Sequence, residues 1–192
     1  MIDYYEQNYI EYHASTVGID PSSFLEPLTQ RLAPGATILD VGCGSGRDLR
    51  WFRERGFRPT GLERSPSLAE LARNHSGCPV MDADFETHDF SGLSFDALVL
   101  VGALVHIPHD RLEQILENIL QALRPAGHAL MTLKEGRDPT EPAPGRVFYL
   151  WQDPDLRAIF GRRNLTVVDF SRQVSKLRDT DIWLGYVLQK TI

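Results

Sequence analysis

The segment Ile38-Leu39-Asp40-Val41-Gly42-Cys43-Gly44-Ser45-Gly46-Arg47-Asp48 constrains this chain more than any other stretch. An apolar run ends in an acid, glycines follow at alternate positions, and a helical pattern then begins. That order reads as a buried strand, a tight turn and a helix start, because glycine accepts positive φ and lets backbone approach a ligand closely. The spacing is G-x-G-x-G. A dinucleotide turn reads G-x-G-x-x-G, and Arg47 stands where that pattern needs its third glycine. A pyrophosphate seeks amide donors at a helix N-terminus, whereas Asp40 at the strand end suits a cationic ligand. A nucleotide-dependent oxidoreductase is therefore the weaker reading of this turn.

Acids recur at the ends of the next strands. Arg58-Pro59-Thr60-Gly61-Leu62-Glu63 reads as a second strand, after which Ser65 and Pro66 supply an N-cap and a first helical residue. Glu63 stands about 20 residues beyond the glycine turn, where an acid that accepts ribose hydroxyls is expected. Pro79-Val80-Met81-Asp82-Ala83-Asp84 is a third short run ending in an acid; for Asp82 and Asp84 a loop acid or helix cap is the alternative. Strands are expected near 36–41, 57–63, 79–82, 95–101 and 127–133, with a closing pair at 165–171 and 183–189. Leu112, Ile115, Leu116, Ile119, Leu120 and Leu123 keep helical spacing, and Arg124-Pro125-Ala126-Gly127 ends that helix. Another helix is expected over 153–163, and residues 1–31 read as tyrosine-rich helices. The segment 134–148, rich in proline and glycine, reads as a long loop. Alternating strands and helices imply a parallel sheet covered on both faces.

At 192 residues the chain has the size of one domain with a sizeable core. Its net charge of -6 argues against a nucleic-acid partner, whose binding depends on phosphate neutralisation. The cluster Arg47, Arg50, Arg53, Arg55 and Arg58 reads as the solvated face of the helix after the glycine turn, with Leu49 and Phe52 facing in. Two cysteines, Cys43 and Cys78, do not suggest a secreted disulfide scaffold. No stretch approaches the roughly 18 apolar residues of a membrane span. The N-terminus lacks the basic and apolar regions of a signal peptide. A cytoplasmic protein with no membrane partner is the expectation.

The Asp40–Gly46 pattern, D-x-G-x-G-x-G after a strand, resembles motif I of the class I S-adenosylmethionine (SAM)-dependent methyltransferases. Asp82-Ala83 resembles the segment with which that superfamily contacts adenine, and Phe95-Asp96 followed by an apolar run resembles its fourth strand. Arg124-Pro125-Ala126-Gly127 is similar to its L-K/R-P-G-G turn, with Ala126 replacing the first glycine. Val101-Gly102-Ala103-Leu104-Val105-His106-Ile107-Pro108 resembles the L-L-H-V-P signature of a small bacterial subgroup described as tellurite-resistance-like or simply SAM-dependent. Lys134-Glu135-Gly136, Gly145-Arg146-Val147-Phe148, the tail residues Arg178, Trp183, Leu184, Leu188 and Lys190, and the leader residues Tyr5, Tyr12 and Thr16 match further subgroup patterns.

The resemblance implies a Rossmann-like seven-stranded sheet of order 3-2-1-4-5-7-6 with strand seven antiparallel, and SAM as cofactor with S-adenosylhomocysteine (SAH) as product. It implies one methyltransferase domain, with a lid over 1–31, a SAM-binding core over 32–135 and an acceptor side over 136–192. The cofactor is expected on Asp40, Gly42, Cys43, Gly44, Ser45, Gly46, Asp48, Glu63, Arg64, Asp82, Ala83, Val101, Gly102 and Ala103, beneath Tyr5 and Tyr12. Lys134, Glu135, Arg146, Phe148 and Trp183 are the candidates for a small-molecule acceptor; salt bridges or lid packing are their plainer reading. His106 is the candidate base, against a histidine that merely bonds a carbonyl. A metal pair with His109 is disfavoured by Pro108 between them, so no metal is expected. The expected protein is a monomer or homodimer, and a non-enzymatic SAM-binding protein is the alternative function.

Overall fold

Strand β1 (Thr37–Val41) is buried along nearly its whole length, as a parallel strand flanked and covered on all sides must be. The computed structural model describes residues 4–191, so Met1 to Asp3 of the expected lid lie outside the described residues. Around β1 stand β2 (Arg58–Glu63), β3 (Val80–Asp82), β4 (Phe95–Val101) and β5 (Leu123–Lys134), all parallel. A hairpin of β6 (Thr140–Ala143) and β7 (Arg146–Phe148) follows, then β8 (Leu165–Val174) and β9 (Ile182–Lys190). The main sheet has seven strands in the order β3-β2-β1-β4-β5-β9-β8, with β9 antiparallel to both neighbours. Setting the hairpin aside, this is the expected order with its antiparallel seventh strand.

Alternation along each strand divides the core between two faces. Leu39, Leu98, Leu100 and Met131 pack on one side with Leu112, Leu116 and Ile119 of α6 (His109–Ile119) and with Leu156 and Phe160 of α7 (Asp153–Arg162). Ile38, Ala97, Val99 and Leu130 pack on the other with Leu25 and Leu28 of α3 (Ser22–Thr29) and Phe52 of α4 (Arg47–Glu54). Helix α5 (Pro66–Ser76) starts at Ser65, whose hydroxyl accepts from the Leu68 amide, and ends at Gly77 with φ 66°. Gly46 is required by packing: a Cβ there would meet the Ala72 backbone at 2.8 Å, so a side chain would hold α4 and α5 apart.

Two boundaries differ from expectation. Helix α6 stops at Ile119; Leu120–Ala122 form a 3-10 turn, and β5 begins at Leu123, with an irregularity at Ala126, whose φ is 62°. Pro125 lacks an amide proton and favours an extended predecessor, and Asp96 and Ser94 hold Arg124. The segment 134–148 is a hairpin rather than an open loop, closed at Pro144-Gly145, where Gly145 has φ 75°. The Tyr149 amide to the Val105 carbonyl (2.8 Å) and the Trp151 amide to the Lys134 carbonyl (2.8 Å) tie the segment beyond it to the sheet.

Candidate active site

The carboxyl ends of β1, β2, β4 and β5 open into one cleft, which α1 (Tyr4–Gln7) and α2 (Tyr9–Thr16) cover. Its three compartments meet at Tyr12 and Val101. The first holds the glycine turn with Asp40, Ser45, Arg47 and Asp48. The second runs over Glu63, Arg64, Gly102, Ala103 and His106. The third, under the hairpin, is walled by Phe24, Lys134, Arg146, Phe148 and Trp183. Trp183 reaches this edge because β9 runs antiparallel, which sets its first residues beside Lys134 at the end of β5.

The glycine turn is built as a cradle. Gly42 and Gly44 have φ of 70° and 54°; a Cβ on Gly42 would meet Ala103 at 2.9 Å, and one on Gly44 would meet the Tyr12 ring at 3.1 Å. Glu63 is buried and supports the turn, accepting from the Gly44 and Ser65 amides at 2.9 Å each. A carboxylate has about four lone-pair sites, so these bonds leave it acceptor capacity. Burial raises its pKa, against the lowering effect of those amides. Asp40 is buried, and among the described residues its Oδ2 has no hydrogen-bond partner. Burial first, and then the neighbouring Asp48, push its carboxyl well above the usual range. Asp48 takes both hydrogen bonds of the Arg47 guanidinium, at 2.6 and 3.0 Å. A buried carboxylate short of a partner is the group a cationic ligand completes, so the residues present fit an aminoacyl sulfonium cofactor.

At the other end of the cleft, His106 Nδ1 lies 2.6 Å from the Val147 carbonyl and Nε2 lies 2.6 Å from the Tyr5 hydroxyl. A carbonyl only accepts, so Nδ1 carries a proton; in the neutral ring Nε2 then accepts from Tyr5. Arg146 Nε donates to the same hydroxyl at 3.3 Å. His109 instead contacts the Leu150 carbonyl at 2.7 Å, so the two histidines serve different partners. Lys134 is buried; its ammonium bonds Asp181 and lies 3.9 Å from the centre of the Phe148 ring. Loss of solvation lowers its pKa, partly offset by Asp181.

Two of the expected site residues, Asp82 and Glu135, are held away from the cleft. Asp82 is exposed and pairs with Arg73 at the end of α5, while Ala83 donates its amide to the Glu63 carbonyl. Glu135 turns to Arg172 of β8, at 2.6 Å. Conversely, Phe85, Asp181 and Thr132 join the cleft without having been singled out. Phe85 follows directly on the acidic run at 82–84, which is a usable signal; Asp181 carries none, since it meets Lys134 across 47 residues.

An open sheet of this order, with a glycine turn after β1 and a buried acid ending β2, is a fold shared with solved methyltransferases. Residues 38–127 match the family described as Methyltransferase domain. A ubiquinone biosynthesis O-methyltransferase of Xanthomonas axonopodis pv. citri is 30% identical over 115 residues, covering 56% of this chain and 47% of the relative. The chain thus spans about half the length of the curated relatives it matches. The fold is shared with Burkholderia thailandensis 1,6-didemethyltoxoflavin-N1-methyltransferase, solved with 1,6-didemethyltoxoflavin and S-adenosylhomocysteine bound (24% identity, 97% of this chain and 87% of that chain, TM-score 0.77). It is shared also with a TehB-like SAM-dependent methyltransferase of Corynebacterium glutamicum (22% identity, 97% and 98%, TM-score 0.73).

Proposed function

We propose that this protein is a SAM-dependent methyltransferase whose acceptor is a small molecule held between α1–α2 and the β6–β7 hairpin. The observation that carries the reading is Asp40, a buried carboxylate with an oxygen unpartnered among the described residues, beside a glycine cradle. Relatives named for ubiquinone biosynthesis, and a structural neighbour holding 1,6-didemethyltoxoflavin beside SAH, support both cofactor and acceptor class.

When bound, SAM supplies a methyl group on a positive sulfonium, already activated for in-line displacement. The protein's own work is placement and exclusion of water. Asp40 offers its carboxylate to the cofactor's cationic aminoacyl end, and Glu63 offers its remaining acceptor sites to ribose hydroxyls. Tyr5 and Tyr12 cover the cleft from the N-terminal helices. Orientation of this kind supplies roughly 7–11 kcal/mol in favourable cases. His106 is the proton acceptor for a protonated nucleophile: Val147 fixes its tautomer and leaves Nε2 facing the cleft through Tyr5. Such a base typically contributes about 10²–10⁴-fold.

The test is calorimetry with SAH on the protein and on Glu63→Ala. Loss of a charged acceptor on ribose costs about 1.5–3 kcal/mol of affinity; an unchanged affinity would sink the assignment. Labelled SAM with a library of small acceptors then separates methyl transfer from simple SAM binding.

A further inference from the structure

We infer that the acceptor is a planar aromatic molecule bearing a carboxylate. This rests on the methyltransferase reading and concerns the compartment under the hairpin. Its rim carries Arg47, Lys134, Arg146, Lys176 and Arg178 against only Asp20 and Asp181, in a chain of net charge -6. Both acids are engaged. Asp181 bonds Lys134, and Asp20 accepts from the Ser22 amide (3.0 Å) and hydroxyl (2.6 Å). Arg47 is occupied by Asp48. Lys176 donates to the Asp20 carbonyl (2.7 Å); Arg146 and Arg178 remain, and among the described residues no carboxylate lies within ion-pair distance of either.

Arg146 is the informative one. Its guanidinium is half-buried, 4.9 Å from the centre of the Phe148 ring and 5.2 and 5.4 Å from those of Tyr4 and Tyr5. A partly desolvated cation with no counter-ion is incomplete. A carboxylate completes it with two parallel hydrogen bonds, the geometry a guanidinium fork favours. Tyr12 and Phe24, the aromatic walls with no cation over them among the described residues, supply flat surface for a ring in offset or edge-on contact. A cationic acceptor is disfavoured twice. Like charge repels it, and two of the aromatic faces it would seek are already taken, with Lys134 Nζ 3.9 Å from Phe148 and 5.4 Å from Trp183.

The experiment titrates SAH-saturated protein, at low ionic strength, with 2-naphthoate, 2-naphthamide, 2-naphthylmethylamine and acetate. Naphthoate is expected to bind at least about tenfold more tightly than each of the others. Arg146→Gln, and separately the exposed Arg178→Gln, should weaken naphthoate while leaving SAH affinity within about threefold. Equal binding of acid and amide, preference for the amine, or acetate matching naphthoate overturns the inference, as does absence of naphthoate binding to protein that holds SAH. Failure of SAH itself to bind strikes the methyltransferase reading first and takes this inference with it.

Discussion

Asp40 and Glu63 sit at strand ends where burial raises the pKa of both. Each holds its proton to a higher pH folded than unfolded. Each therefore opposes folding increasingly as pH climbs from the ordinary carboxylate range toward its raised folded value. Asp40 is the costlier of the two, because Asp48 repels it and Oδ2 has no partner among the described residues. Asp40→Asn should thus stabilise the ligand-free protein at neutral pH by about 1 kcal/mol, a rise in Tm of about 2–4 °C for a chain of this size. The same change should weaken SAH binding at least about tenfold, since it removes the partner of a ligand cation. Thermal melts and calorimetry on one preparation check both; a lowered Tm with unchanged SAH affinity would refute the role given to Asp40. At this scale the sequence was legible for the positions of Asp40, Glu63 and the cradle glycines, which follow from a local strand-turn-helix pattern. It was not legible for Asp82 or Glu135, because the arginines that hold them, Arg73 and Arg172, approach only through folding.

Among the elements, α1 and α2 are set over the cleft by a few polar contacts. Glu6 accepts from the Ser65 hydroxyl (2.5 Å), the Ser67 hydroxyl (2.6 Å) and the Ser67 amide (3.2 Å) at the start of α5. An acid at a helix N-terminus is favoured by the exposed amides there. The bond from Ser65, and next that from Ser67, lowers the Glu6 pKa. Its hold on α5 is therefore complete above the ordinary carboxylate range and is lost as pH falls through the lowered value. Glu6→Ala should speed amide exchange over residues 4–16 at neutral pH, and SAH should slow exchange in the same segment of the unmodified protein. Exchange that responds to neither would show that these helices are fixed structure rather than a cover for the ligand. The hairpin was less legible. Its prolines and glycines read as an open loop, yet Pro144-Gly145 makes a turn that sets Arg146 and Phe148 over the cleft and brings Val147 to His106.

For the whole molecule, the cleft spans β1, β2, β4, β5 and β9 and both N-terminal helices, so a ligand there is coupled to global unfolding. At 100 times its Kd, SAH should add about 2.7 kcal/mol, or about 5–10 °C in Tm for a chain of this length. NAD at the same concentration should leave Tm unchanged, because the glycine turn presents Asp40 and Arg47 where a pyrophosphate site needs free amides and a third glycine. A larger shift with NAD than with SAH in a thermal melt would reverse the ligand assignment. Among the described residues no helix is long and apolar enough to cross a membrane.

The sequence by itself determined where the parallel strands and the glycine turn lie, while the order of the strands came from the resemblance to a known superfamily. The strands and the turn follow from short-range patterns: buried apolar runs, helix starts, and alternate glycines that accept positive φ. Tertiary structure decided the compartment under the hairpin. There Tyr5 meets His106 across 101 residues, Arg146 reaches Tyr5 across 141, and Lys134 finds Asp181 across 47. No local period encodes such meetings. They exist because an antiparallel last strand and a hairpin carry distant residues back to the edge where the parallel strands end.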